Sequence, residues 1–199
     1  MMLDPVLLPE QHLNNRLSDM QAIMEQTQAF ENRVLERLNA GKNVRSFLIA
    51  AVELLTEAVN VLVLQVFRKD DYAVKYAVEP LLDGEGPLGN LSVRLKLIYG
   101  LGVITRAEYE DAELLMALRE ELNHDGSEYA FTDDEILGPF GELHCVDALP
   151  PQPPFDTSDA DLYAMQQQRY QQVVRSTMVL SLTELISRIS LKKAFQKSR

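Results

Sequence analysis

Residues 46–67 read SFLIAAVELLTEAVNVLVLQVF, and this stretch decides the fold. It is apolar around most of a helical circumference, with a polar stripe at Ser46, Glu53, Glu57 and Asn60. A helix apolar nearly all round lies inside a bundle or spans a membrane. An acid near the centre of a membrane span costs roughly 2.5–3.5 kcal/mol, and this run carries two, so the reading is a central helix of a helical bundle. Asn43 is placed to cap it, giving a helix from about Val44 to Arg68.

Working toward the N-terminus, Gly41 is expected to supply a left-handed C-terminal stop for a preceding helix. That helix has apolar residues at Met20, Ile23, Met24, Phe30, Val34, Leu35 and Leu38, and Ser18 with Gln21 forms a capping-box pattern at its start. Residues 1–17 show no periodicity and are expected to be a flexible arm, leaving 18–199 as one all-helical domain.

Toward the C-terminus, Asp70 and Asp71 open a short helix expected to end before Pro80. A Gly/Pro loop from Asp83 to Gly89 leads to a helix over about Leu91 to Tyr99, closed by Gly100 and Gly102. Thr105 with Glu108, and Thr132 with Glu135, give two more capping boxes. The first starts a helix to about Leu122 and the second a short one interrupted at Gly138 and Pro139. Residues 148–156, with four prolines, read as an extended connection before a long helix over about Asp161 to Phe195. No stretch alternates at period two, so the fold is all-α, a single bundle of about seven helices without a sheet.

Composition narrows the function. The single cysteine, Cys145, excludes a disulfide framework and fits a reducing cytoplasm, and no signal or transmembrane segment is read. Of the net charge of −11, residues 106–163 carry 16 acidic side chains against Arg106 and Arg119 alone. Residues 164–199 carry seven basic side chains against Glu184. The middle of the chain repels phosphate, and the basic end pairs naturally with it.

Several motifs fail on context. Gly84, Gly86 and Gly89 spell G-x-G-x-x-G, but a dinucleotide site needs a preceding strand, and here a helix precedes. Residues 93–118 have helix-turn-helix spacing, yet the reading helix would present Glu108, Glu110, Asp111 and Glu113 to phosphates. Glu121 and His124 match one E-x-x-H element of a di-iron bundle without its second copy. His144 and Cys145 are adjacent, so a nucleophile–base pair does not converge. No catalytic, cofactor or metal residues are assigned, and no enzyme is expected.

Three long blocks carry a resemblance: Ser46–Leu82 (SFLIAAVELLTEAVNVLVLQVFRKDDYAVKYAVEPLL), Gly86–Val103 (GPLGNLSVRLKLIYGLGV) and Met116–Asp125 (MALREELNHD). Over Asn15 to Lys197 the chain resembles the mannitol operon repressor family. The resemblance implies an all-helical cytoplasmic repressor of mannitol uptake and catabolism genes with no recognised DNA-binding domain. It carries over no ligand residues.

The expected partner surface is the acidic set Glu108, Glu110, Asp111 and Glu113, which suits a basic protein surface. In the regulatory context the resemblance implies, the histidine-containing phosphocarrier protein of the sugar phosphotransferase system is the candidate partner. The alternative is direct DNA binding through the basic end (Arg188, Lys192, Lys193, Lys197) or the 106–122 helix. A homo-oligomer is compatible with either.

Overall fold

The computed structural model describes residues 9–67 and 72–192, and within them every regular element is a helix. In chain order these are α1 (Pro9–Ala40), α2 (Val44–Val66), α3 (Tyr72–Leu82), α4 (Leu91–Gly100), α5 (Arg106–His124), α6 (Asp134–Gly141) and α7 (Ala160–Leu191).

α2 is the hub, packed against α1, α4, α5 and α7. Phe47, Leu48, Leu54, Leu55, Val59, Leu62 and Val63 are fully buried in it. Among the described residues it is the one helix long and apolar enough to cross a membrane, and its polar stripe shows why it packs in a core instead. Each polar residue has a partner within the fold. Ser46 closes a capping box with Asn43. Glu53 and Glu57 bind Arg37 from α1, and Arg33 adds a second contact to Glu57 at 3.5 Å. Asn60 accepts from Arg94 of α4.

α1 departs from expectation at both ends. It starts at Pro9, so the arm expected over 1–17 is helical from residue 9, while residues 1–8 lie outside the described residues. Proline suits the first helical position because the N–H it lacks would be unpaired there anyway. Ser18 and Gln21 therefore fall inside the helix, and the capping box expected there does not form. Of the expected apolar face, Val34 and Leu38 are in the core, but Met20 and Met24 are 59% and 66% exposed. Geometry explains this. Arg33 meets Glu57, and α2 has only nine residues left beyond Glu57, so at equal rise the part of α1 before about Met24 outruns it. At the other end Gly41 is not left-handed. It is needed because a Cβ there would lie 2.8 Å from the Phe47 backbone.

Two prolines expected to end or break helices lie within them: Pro80 in α3 and Pro139 in α6. Tertiary packing outweighs the lost hydrogen bond in each case. Phe140 is fully buried beside Phe47, and Leu82 packs against the core. α6 is preceded by Asp133 rather than capped by Thr132, and the Asp133 carboxylate turns back to accept from Ala130 N at 2.8 Å. Asp70 and Asp71 lie outside the described residues. Residues 148–156 run extended along α7, with Tyr170 Oη donating to Pro150 O at 3.1 Å and the Phe155 ring edge-on to Tyr163 and Tyr170. α7 ends at Leu191, short of the expected Phe195.

The glycine-rich loop is a tight connection between α3 and α4. Leu88 N bonds Leu81 O at 2.8 Å and Gly86 N bonds Asp83 O at 2.8 Å. A Cβ on Gly86 would meet the Pro80 carbonyl and stand 2.6 Å from Leu81 O, whereas a Cβ on Gly84 meets nothing within 4 Å. Gly86→Ala is therefore expected to destabilise by roughly 1–3 kcal/mol through forced backbone movement, with Gly84→Ala nearly neutral. Urea unfolding midpoints of the two variants check this, and equal midpoints would refute the close approach.

Candidate functional site

α5 begins beside the C-terminal end of α7, and the geometry there sorts the four expected partner-binding acids into two classes. Thr105 caps α5, and Glu108 completes the capping box by accepting from Thr105 N at 2.7 Å. The same Glu108 oxygen takes Lys192 Nζ at 2.6 Å. Glu108 is only 5% exposed. Burial pushes its carboxyl up, but Lys192 and the Thr105 donors outweigh that and hold it below the ordinary glutamate value. Asp111 is 1% exposed and accepts two backbone N–H groups from the turn after α6, His144 N at 2.6 Å and Cys145 N at 2.9 Å. Glu108 and Asp111 are thus structural ties, which corrects their expected place on an exposed acidic surface.

Glu110 and Glu113 remain nearer the surface. Glu110 is bracketed by Arg106 Nε at 2.6 Å and His144 Nε2 at 2.9 Å. Arg106 first, then His144, keeps its carboxyl below the ordinary value, so it is ionised at neutral pH. Glu113 accepts from Tyr109 Oη at 2.5 Å, and Tyr109 stacks on Tyr99 with ring centroids 4.7 Å apart and planes 13° apart. The Glu113 hydrogen bond, with burial, pushes the Tyr109 phenol up to about 12, so it stays a donor. The surface here is two carboxylates flanking an aromatic stack, with Tyr99 38% exposed. Exposed tyrosine area of this kind is enriched at protein contact points.

Among the described residues of the basic end, both cations already have partners. Lys192 is taken by Glu108, Arg188 lies 3.8 Å from Glu184, and Lys193 and Lys197 lie outside the described residues. The one cation in the first half of α5, Arg106, is engaged by Glu110. Cys145 is no nucleophile: burial first, then the Asp111 carboxylate, pushes its thiol up to about 12. His124 ends α5 with Nδ1 2.8 Å from Glu120 O, a helix-terminal histidine, and no metal-holding group of three or more ligands occurs among the described residues.

Sequence reasoning missed two elements of this region. The Tyr99–Tyr109 stack joins α4 to α5 across a turn whose path periodicity does not give. The role of Asp111 depends on a turn more than thirty residues away, for which an acid in an exposed-looking helix offers no local signal.

Residues 30–190 match the family model described as MtlR, Mannitol repressor. A mannitol operon repressor of Escherichia coli (strain K12) is 89% identical over 184 residues, 92% of this chain and 94% of that protein. Fumarase E of the same strain is 27% identical over 168 residues, 80% of this chain and 96% of that protein. Among solved structures, the X-ray structure of the MtlR–HPr complex from Escherichia coli contains a chain 88% identical to this one. It superposes with TM-score 0.79, covering 82% of this chain and 99% of that chain. A possible transcriptional regulator, YggD from Shigella flexneri 2a str. 2457T, superposes with TM-score 0.67 at 27% identity, covering 80% and 98%.

Proposed function

Because the chain belongs to the mannitol repressor family, we propose that it is a cytoplasmic repressor of mannitol uptake and catabolism genes that works through protein contacts. The observation that carries this reading is its close likeness to a chain solved in complex with HPr, the histidine-containing phosphocarrier. Electrostatics agree. With 16 acidic side chains against two basic ones over residues 106–163, the region suits a basic protein surface and opposes a phosphate backbone.

On this reading Glu110 and Glu113, flanking the Tyr99–Tyr109 stack, form the carrier-facing surface. A phosphoryl group adds roughly −1.5 to −2 charge in the common side-chain cases, which beside these carboxylates is repulsive. The unphosphorylated carrier then binds better, and repression follows transport flux.

Fluorescence anisotropy with both carrier forms is the test. The expected result is tighter binding of the unphosphorylated form, and about a tenfold or larger loss for a Glu110→Lys, Glu113→Lys double variant. Equal affinities for the two forms would sink the mechanism. In the same experiment operator and random DNA should bind equally poorly. A specific DNA complex at physiological salt, weakened by Arg188→Ala, would instead favour direct DNA binding.

We assign the chain no catalytic role. The family it belongs to is named for repression, and fumarase E is a distant relative at 27% identity. Fumarate incubated with the purified chain should remain unhydrated. Turnover that follows the protein through purification would reverse this assignment.

A further inference from the structure

We infer that the cleft between α7, the proline-rich connection and the loop before α6 binds a neutral polyhydroxylated small molecule of hexitol size. The cleft is about half open to solvent, offers about 260 Å³ and is lined by Ala130, Thr132, Asp133, Gln152, Phe155, Gln167, Tyr170 and Gln171. That volume is just below the roughly 300 Å³ at which ligand pockets for larger molecules begin, so it suits a sugar or sugar alcohol better than a nucleotide.

The chemistry of the lining is specific. Three primary amides, a hydroxyl and one carboxylate offer donors and acceptors together, which is what a chain of hydroxyl groups requires. Thr132, Gln152 and Gln171 have no side-chain partner within the described residues, and Gln152, Gln167 and Gln171 are exposed, so a ligand's hydroxyls would replace water on them rather than compete with bonds of the fold. Gln167 donates to Tyr163 Oη at 2.8 Å, which leaves its carbonyl oxygen available. Asp133 holds Ala130 N through one oxygen only. Phe155 and Tyr170, with ring centroids 6.1 Å apart, supply an apolar wall for C–H groups, and Tyr170 is fixed by its bond to Pro150 O.

Charge selects within the class. No lysine or arginine lines the cleft, Asp133 does, and exposed Asp134 and Glu135 follow it on α6. A phosphate ester is opposed, while an uncharged polyol is not. Arg169 lines the separate groove beside Pro150 and Pro154. The inference stands on this lining alone and does not rest on the carrier contact, whose residues lie on α4 and α5.

The test is a titration of the full-length ¹⁵N-labelled chain with D-mannitol and, separately, with D-mannitol 1-phosphate, following the glutamine side-chain amide signals. Saturable shifts at Gln152, Gln167 and Gln171 with mannitol are expected, with at least tenfold weaker binding of the phosphate ester. Thr132→Val and Gln171→Ala should each weaken mannitol binding about three- to tenfold, the usual worth of one hydrogen bond. Both leave the core untouched, so carrier affinity should stay at the parent level and serves as the control for folding. Absence of saturation into the millimolar range, equal binding of the ester, or variants that bind mannitol like the parent would each overturn the site. None of these results bears on the carrier interaction.

Discussion

Arg94→Ala should lower the stability of the protein by about 3–5 kcal/mol, the largest single-residue effect expected outside the apolar core. Arg94 lies on α4 and is 7% exposed, yet no carboxylate among the described residues pairs with it. Its guanidinium is satisfied by four neutral acceptors: Asn60 Oδ1 on α2, Leu88 O, Leu82 O at 2.7 Å and Gly89 O at 3.2 Å. One side chain therefore ties the glycine-rich loop to the central helix. Removing it leaves several acceptors short of a donor, each worth about 1–3 kcal/mol where water cannot reach. Arg94→Lys keeps the charge but replaces a planar fork with a point donor, so it should recover only part of the loss. Urea unfolding gives the stabilities, and limited proteolysis should find residues 83–89 newly cleavable in the alanine variant. A midpoint equal to the parent's would show that the loop holds without the clamp.

Asp111→Ala should cost about 2–5 kcal/mol, because it strands the His144 and Cys145 N–H groups in a part-buried turn. Asp111→Asn keeps the shape and one acceptor, so it should fall between alanine and the parent. This pair of variants also separates the two roles open to the residue. If Asp111 is a structural tie, the asparagine variant loses stability but binds the phosphocarrier at the parent affinity once folded. If it is a contact residue, the asparagine variant folds like the parent and loses the partner. The 1% exposure of Asp111 makes the first outcome the expected one.

The two residues mark where a linear reading of this chain stops. The sequence alone determined the helices, the central place of residues 46–67, and the capping of α2 by Asn43 and α5 by Thr105. These are local: a cap bonds an N–H two or three residues on, and an apolar circumference is a matter of period. It also determined that G-x-G-x-x-G here is a helix–helix loop, since the helix before it is a local feature too. Only the tertiary structure decided which charges are buried. Lys192 reaches Glu108 across 84 positions and Asp111 reaches His144 across 33, so two acids read with Glu110 and Glu113 as one acidic surface became part of the scaffold. It also decided that α1 stays uncovered at Leu17, Met20 and Met24, because that depends on where α2 ends against it, and that Pro80 and Pro139 are carried inside helices by the packing of Leu82 and Phe140. A helical period fixes which face is apolar; the length and placement of the neighbouring helices fix how much of that face is covered and which polar groups are drawn in with it.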